Sequence, residues 1–77
     1  MNEAALDKSL ETLHTLLDQH KQGSLSHALA LHLFLVSWGR EDADIALEYE
    51  TGRWQVWIDE NRIDDADKAV EVVEAVA

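Results

Sequence analysis

The stretch ALEYETGRWQVWID, residues 46–59, reads as a β-hairpin and decides the class of the whole chain. Apolar and polar residues alternate on both sides of Thr51-Gly52, the period of strands that bury one face. With Thr51-Gly52 as a two-residue loop, Glu50 faces Arg53, Tyr49 faces Trp54, Glu48 faces Gln55, Leu47 faces Val56, Ala46 faces Trp57 and Ile45 faces Ile58. Ile45, Leu47, Tyr49, Trp54, Val56 and Ile58 then share one apolar face. A one-residue slip would set apolar side chains against charged ones, so the pattern defends this pairing. Thr-Gly is a weaker turn signal than Asn-Gly, and a type I turn with a glycine bulge is the rival geometry. The opposite face carries Asp44, Ala46, Glu48 and Glu50 from the first strand and Arg53, Gln55, Trp57 and Asp59 from the second. That is a polar, mostly acidic surface with one large aromatic in it.

Helices flank the hairpin. In residues 2–23, Leu6, Leu10, Leu13 and Leu17 fall at helical spacing along one stripe, with Asn2 as cap, Glu3 in the first turn and Gly23 as left-handed stop. A second helix begins at Ser24 or Ser26 and runs to Ser37 or Trp38. Its leucines alternate as a buried strand would, but the scarcity of β-branched residues favours a helix. Apolar residues cover most of its circumference, which makes it the central element, packed by its neighbours or by another subunit. Gly39 in the loop GREDAD, residues 39–44, ends it. Asp64 is the expected cap of a third helix, with Asp65 and Asp67 in its first turn, an Asp64–Lys68 pair, and a stripe of Ile63, Ala66, Val70 and Val73. Its valines and the chain end at Ala77 predict a frayed last turn. The expected fold is one small α+β domain spanning residues 1–77, order α-α-β-β-α, with the two N-terminal helices on one face of an antiparallel hairpin.

The charge is uneven. The chain of 77 residues has a net charge of −10, yet residues 1–40 hold four acids against three bases, −1, and residues 41–77 hold twelve against three, −9. Such a field repels nucleic acid and anionic membrane and speeds encounter with basic surfaces. There is no cysteine, so disulfide and thiolate chemistry is excluded. The longest apolar run, residues 28–36, is too short to span a bilayer, and the acidic N-terminus is unlike a secretory signal. A cytoplasmic protein is expected.

No recognisable catalytic pattern is present. His27 and His32 are five apart, on different faces of a helix, and His14–Asp18 is an ordinary surface pair, so no metal site is expected. His32, inside the most apolar helix, reads as a hydrogen-bonded core histidine in preference to a ligand, and if buried it would make stability depend on pH. The acids from Asp59 onward fail the calcium-loop pattern at its fifth, sixth and twelfth positions, Ile63, Asp64 and Val70. Neither a nucleophile elbow nor a phosphate-binding glycine loop occurs. No cofactor and no enzyme are expected. An enzymatic reading would need a pocket joining His27 and His32 to the acids of Glu41–Asp44.

The residues point instead to recognition. Trp57, with space beside it over Ala46 and acids around it, has the composition of a binding hot spot, with arginine as its natural ligand. The expected partner-binding set is Trp57, Asp44, Glu48, Glu50, Gln55 and Asp59. The expected function is non-enzymatic occupation of a basic, nucleic-acid-binding surface on a partner protein, without direct nucleic-acid or membrane binding. Size, acidity and lack of catalytic residues resemble in composition the small inhibitors of phages and mobile elements, of the anti-CRISPR, DNA-mimic or immunity-protein kind, and antitoxins. The alternative is a homodimeric structural or regulatory module joined through helix 2 and a sheet edge. Trp57 covered by the GREDAD loop or the C-terminal helix is a further possibility.

Overall fold

The computed structural model describes residues 3–75. The elements are α1 (Glu3–Gln19), α2 (Leu25–Ser37), β1 (Asp44–Glu48), β2 (Arg53–Ile58), β3 (Asn61–Arg62) and α3 (Ala66–Glu74). The capping role of Asn2 and the fraying toward Ala77 fall outside the described residues. The helix-helix-strand-strand-helix order matches the sequence reading, with one addition. The hairpin gains a short third strand, so the sheet has the antiparallel order β1-β2-β3 and β2 lies at its centre.

The hairpin register differs from the expected one by two residues. Glu48 pairs with Arg53, Leu47 with Trp54, Ala46 with Gln55, Ile45 with Val56 and Asp44 with Trp57. Tyr49 to Gly52 form the loop, closed by a 2.9 Å bond from Gly52 N–H to the Glu48 carbonyl. A two-residue type I′ turn would force Thr51 as well as Gly52 to positive φ, and a β-branched residue resists that. The wider loop leaves only Gly52 left-handed, at φ 69°. Because the shift is even, the faces keep their members. Val56 and Ile58 are buried, and Ile45 and Trp54 pack partly against the core. Tyr49 is the exception: it lies in the loop, 88% exposed, and not on the apolar face.

α2 lies on the inner side of the sheet, while α1, expected there beside it, packs with α3 against α2; Leu6 and Leu13 of α1, Ala28, Leu31, Phe34 and Leu35 of α2, and Ala66, Ala69 and Val73 of α3 form one core with Val56, Ile58 and Ile63. Ser24 caps α2, its Oγ accepting from His27 N–H at 3.2 Å. At the other end Gly39 (φ 91°) makes a Schellman stop: its N–H bonds the Val36 carbonyl at 3.0 Å, and Arg40 N–H bonds Leu35 at 2.8 Å. Gly23 is left-handed as expected, but it sits in the turn after Lys21 and not directly at the end of α1. Its carbonyl accepts from Trp54 N–H at 2.7 Å, tying the α1–α2 connection to β2. A Cβ at Gly23 would meet only the Arg53 side chain, whose flexible end can move aside, so it is the positive φ of 89° that calls for glycine here.

Asp65, not Asp64, caps α3, accepting from Lys68 N–H at 2.8 Å. Asp64 is instead drawn to Arg62, 2.6 Å away, because β3 brings that arginine beside it. Lys68 reaches Glu71 at 3.6 Å in place of the expected Asp64.

Candidate functional site

The outer face of the sheet is built by strand alternation. Asp44, Ala46 and Glu48 come from β1, and Arg53, Gln55 and Trp57 from the central β2. The third strand adds Arg62, which pairs directly with Trp57. Trp57 therefore stands between Asp44 on one neighbouring strand and Arg62 on the other, and not over Ala46. The indole is half-buried, and its Nε1–H donates to Gln55 Oε1 at 3.1 Å. That bond fixes the ring along β2 and occupies the amide oxygen of Gln55.

The acids sort into two groups. Asp44 and Glu48 project from the face itself, while Glu50 lies in the β1–β2 loop and Asp59 in the turn after β2. Thr51 Oγ1 donates a short hydrogen bond to the Glu48 carboxylate, which orients that acid along the hairpin. Asp59 has φ 53°, the left-handed conformation demanded by the two-residue Asp59-Glu60 turn into β3. With Arg53 and Arg62 interleaved, the strand residues of this face carry two acids and two bases. The other acids of residues 41–77 lie in the loops and on α3, which packs against α1 and α2 and not against the sheet. The face thus offers an aromatic between opposite charges, with Glu50 and Asp59 at the two ends of the hairpin. Arg62 was missed as a member because two residues of strand leave no alternation to read.

The histidines do not meet in one pocket with the Glu41–Asp44 acids. His27 is the buried one, at 8% exposure, whereas His32 is half-buried. The His32 Nε2 is 2.9 Å from the Ala43 carbonyl and holds the loop before β1. His27 lines a cleft of about 70 Å³ with Gly23, Arg53, Arg62 and Asp64. Burial, reinforced by the neighbouring His20 and Arg53 charges, lowers its pKa from the ordinary value. A wider cleft of about 310 Å³ runs between α1 and the start of α3, past His14, Asp18, His20 and Asp64 to Asp67. Among the described residues no three His, Asp or Glu side chains are grouped to hold a metal ion.

Arg40 organises the loop before β1. It donates two hydrogen bonds to Asp42, Nε to Oδ1 at 3.0 Å and Nη2 to Oδ2 at 2.9 Å, and a third from Nη1 to the Val72 carbonyl at 3.1 Å. This paired fork holds the Asp42 carboxyl below the usual carboxylate range. No helix among the described residues is long and apolar enough to cross a membrane. No family, curated protein or solved structure matches the chain.

Proposed function

We propose that this protein is a non-enzymatic binding protein whose outer sheet face occupies a basic surface of a partner protein, one that ordinarily holds nucleic acid. The observation that carries the reading is the position of Trp57: half-buried at the centre strand, its ring oriented by Gln55, with Asp44 opposite and Glu48 on the same face. An aromatic anchor contributes most where flanking polar groups exclude water from it, and the net negative charge of the chain speeds encounter with a cationic patch. Asp44 and Glu48 supply charge on the face; Glu50 and Asp59 supply it at the two ends of the hairpin. Arg53 and Arg62 set orientation, since they accept only a partner that offers acids at matching positions. Action of this kind is competition for a surface, as in small phage-encoded or immunity-type inhibitors.

The test is capture of a partner from a lysate of the source organism by wild type, Trp57→Ala and the Glu48→Lys, Glu50→Lys variant, followed by affinity at rising salt. Support is a specific partner held by wild type, lost by both folded variants, and bound more weakly as salt slows association. Equal retention by all three, or salt-independent binding, overturns the reading.

A further inference from the structure

The helical side of the molecule presents a second, chemically opposite surface. On α2, Leu25, Leu29 and Leu33 are 43%, 40% and 63% exposed, although each follows the last by one helical turn. They lie on the side of α2 away from its buried residues Ala28, Leu31 and Leu35. Beside them an apolar groove of about 270 Å³ runs between α1 and α2, lined by Ser9, Thr12, Leu16, Ala30, Leu33 and Ser37 among others. Leu16, on the α1 wall, is itself 37% exposed. None of the groove-lining residues is charged, and from Gln22 to Gly39 the chain has no Asp, Glu, Lys or Arg.

We infer that this leucine face is a homodimer interface, in which α2 of one copy packs antiparallel to α2 of a second about a two-fold axis at Leu29. Two features select a second copy as the occupant. The first is charge. A chain of net charge −10 resists self-association, and −9 of it lies in residues 41–77. The uncharged α1–α2 face lets two copies meet with little like-charge contact, and it offers nothing to attract a basic partner. The second is symmetry of pattern. Leu25 and Leu33 lie four residues either side of Leu29, so a two-fold there sets each Leu25 against the partner's Leu33. Antiparallel helices also oppose their dipoles favourably. The dimer buries the strip that a single copy leaves to water and does not use the outer sheet face of either copy.

Light scattering on the full chain from about 1 to 100 µM gives the oligomeric state by mass action. The expected result is twice the chain mass for wild type, the chain mass for Leu29→Glu, Leu33→Glu with helical dichroism retained, and a dimer for Trp57→Ala. Because the chain has no cysteine, Leu29→Cys supplies a second readout independent of the charge reversal. Mild oxidation should cross-link it through the axis and leave Thr51→Cys, in the hairpin loop, largely uncross-linked. A wild-type monomer throughout the range, or cross-linking equally efficient at both cysteines, overturns the inference. So does a dimer that survives Leu29→Glu, Leu33→Glu, or one that Trp57→Ala dissociates. A hetero-partner that binds a monomeric chain through these leucines is likewise a negative result. Failure of partner capture by the Trp57 face leaves all these readouts unchanged.

Discussion

Trp57 stands directly opposite Arg62 across the β2–β3 ladder, with Asp44 at the same level on β1, so acid, indole and base form one row across the sheet. The row predicts a separation of binding from stability. Trp57→Ala removes a half-buried ring from the solvent side and should cost about 1 kcal/mol of stability by urea denaturation. The same change should weaken partner binding by roughly 30-fold or more if the ring is the anchor. Trp57→Phe keeps the ring but loses the N–H bonded to Gln55, and should fall between. Calorimetric titration of the captured partner checks the order; equal affinity for all three proteins would remove Trp57 from the interface.

Arg40 predicts a packing effect that lysine cannot reproduce. One planar fork grips Asp42 twice and reaches Val72 on α3, while the Arg40 backbone closes the α2 stop. Lysine has a single point of donation and cannot make all three bonds in that geometry. Arg40→Ala should lower the urea midpoint most, Arg40→Lys nearly as much and Asp42→Asn less, at unchanged denaturant slope. The Asp42 carboxyl titrates lower folded than unfolded, so its contribution is present above the ordinary carboxylate range and fades as pH falls below it. Asp42→Asn should lose that acid limb.

The pattern of what could be read in the residues follows from period. Leucine spacing located α1, and the strand alternation placed Trp57 and Val56 on opposite faces even though the loop proved two residues longer on β1. Parity survives an even shift, while the partner of a given residue does not, which is why Trp57 meets Asp44 and not Ala46. Arg62 was illegible because β3 has two residues, and its arrival moved the cap of α3 from Asp64 to Asp65 by engaging Asp64 in an ion pair. The all-round apolar character of α2 was visible; which of its leucines lacked an intramolecular partner depended on where α1 and the sheet settled.

Asp59 predicts a test of the turn that creates β3. Its φ of 53° is tolerable for aspartate and unrestricted for glycine, and it is poor for a β-branched residue. Asp59→Val should therefore destabilise by about 1–2 kcal/mol, while Asp59→Gly stays within about 0.5 kcal/mol of wild type. Faster exchange of the Ile63 amide, which bonds the Val56 carbonyl at 2.8 Å, should accompany the valine change. An unaltered Ile63 amide in a destabilised Asp59→Val would show that β3 does not depend on this turn.

His27 predicts the acid side of the stability curve near neutrality. Its burial, with the nearby positive groups His20 and Arg53, holds its folded pKa below the ordinary 6.5. Above that value both folded and unfolded chains carry it neutral, and stability is complete with respect to this group. As pH falls through the ordinary value the unfolded chain takes up the proton first, so stability declines until the lowered folded pKa is passed and then levels. Arg62 and Asp64 face the same cleft, with Asp64 held by Arg62, and His27 also borders the wider cleft with His14, His20, Asp18, Asp65 and Asp67. His27→Gln removes the titration while leaving a polar side chain in the cleft. Urea midpoints from pH 7.5 down to about 5 should fall more steeply for wild type than for His27→Gln, the difference in slope staying below that of one bound proton. Parallel curves for the two proteins would mean that His27 protonates as readily folded as unfolded, against the burial seen here.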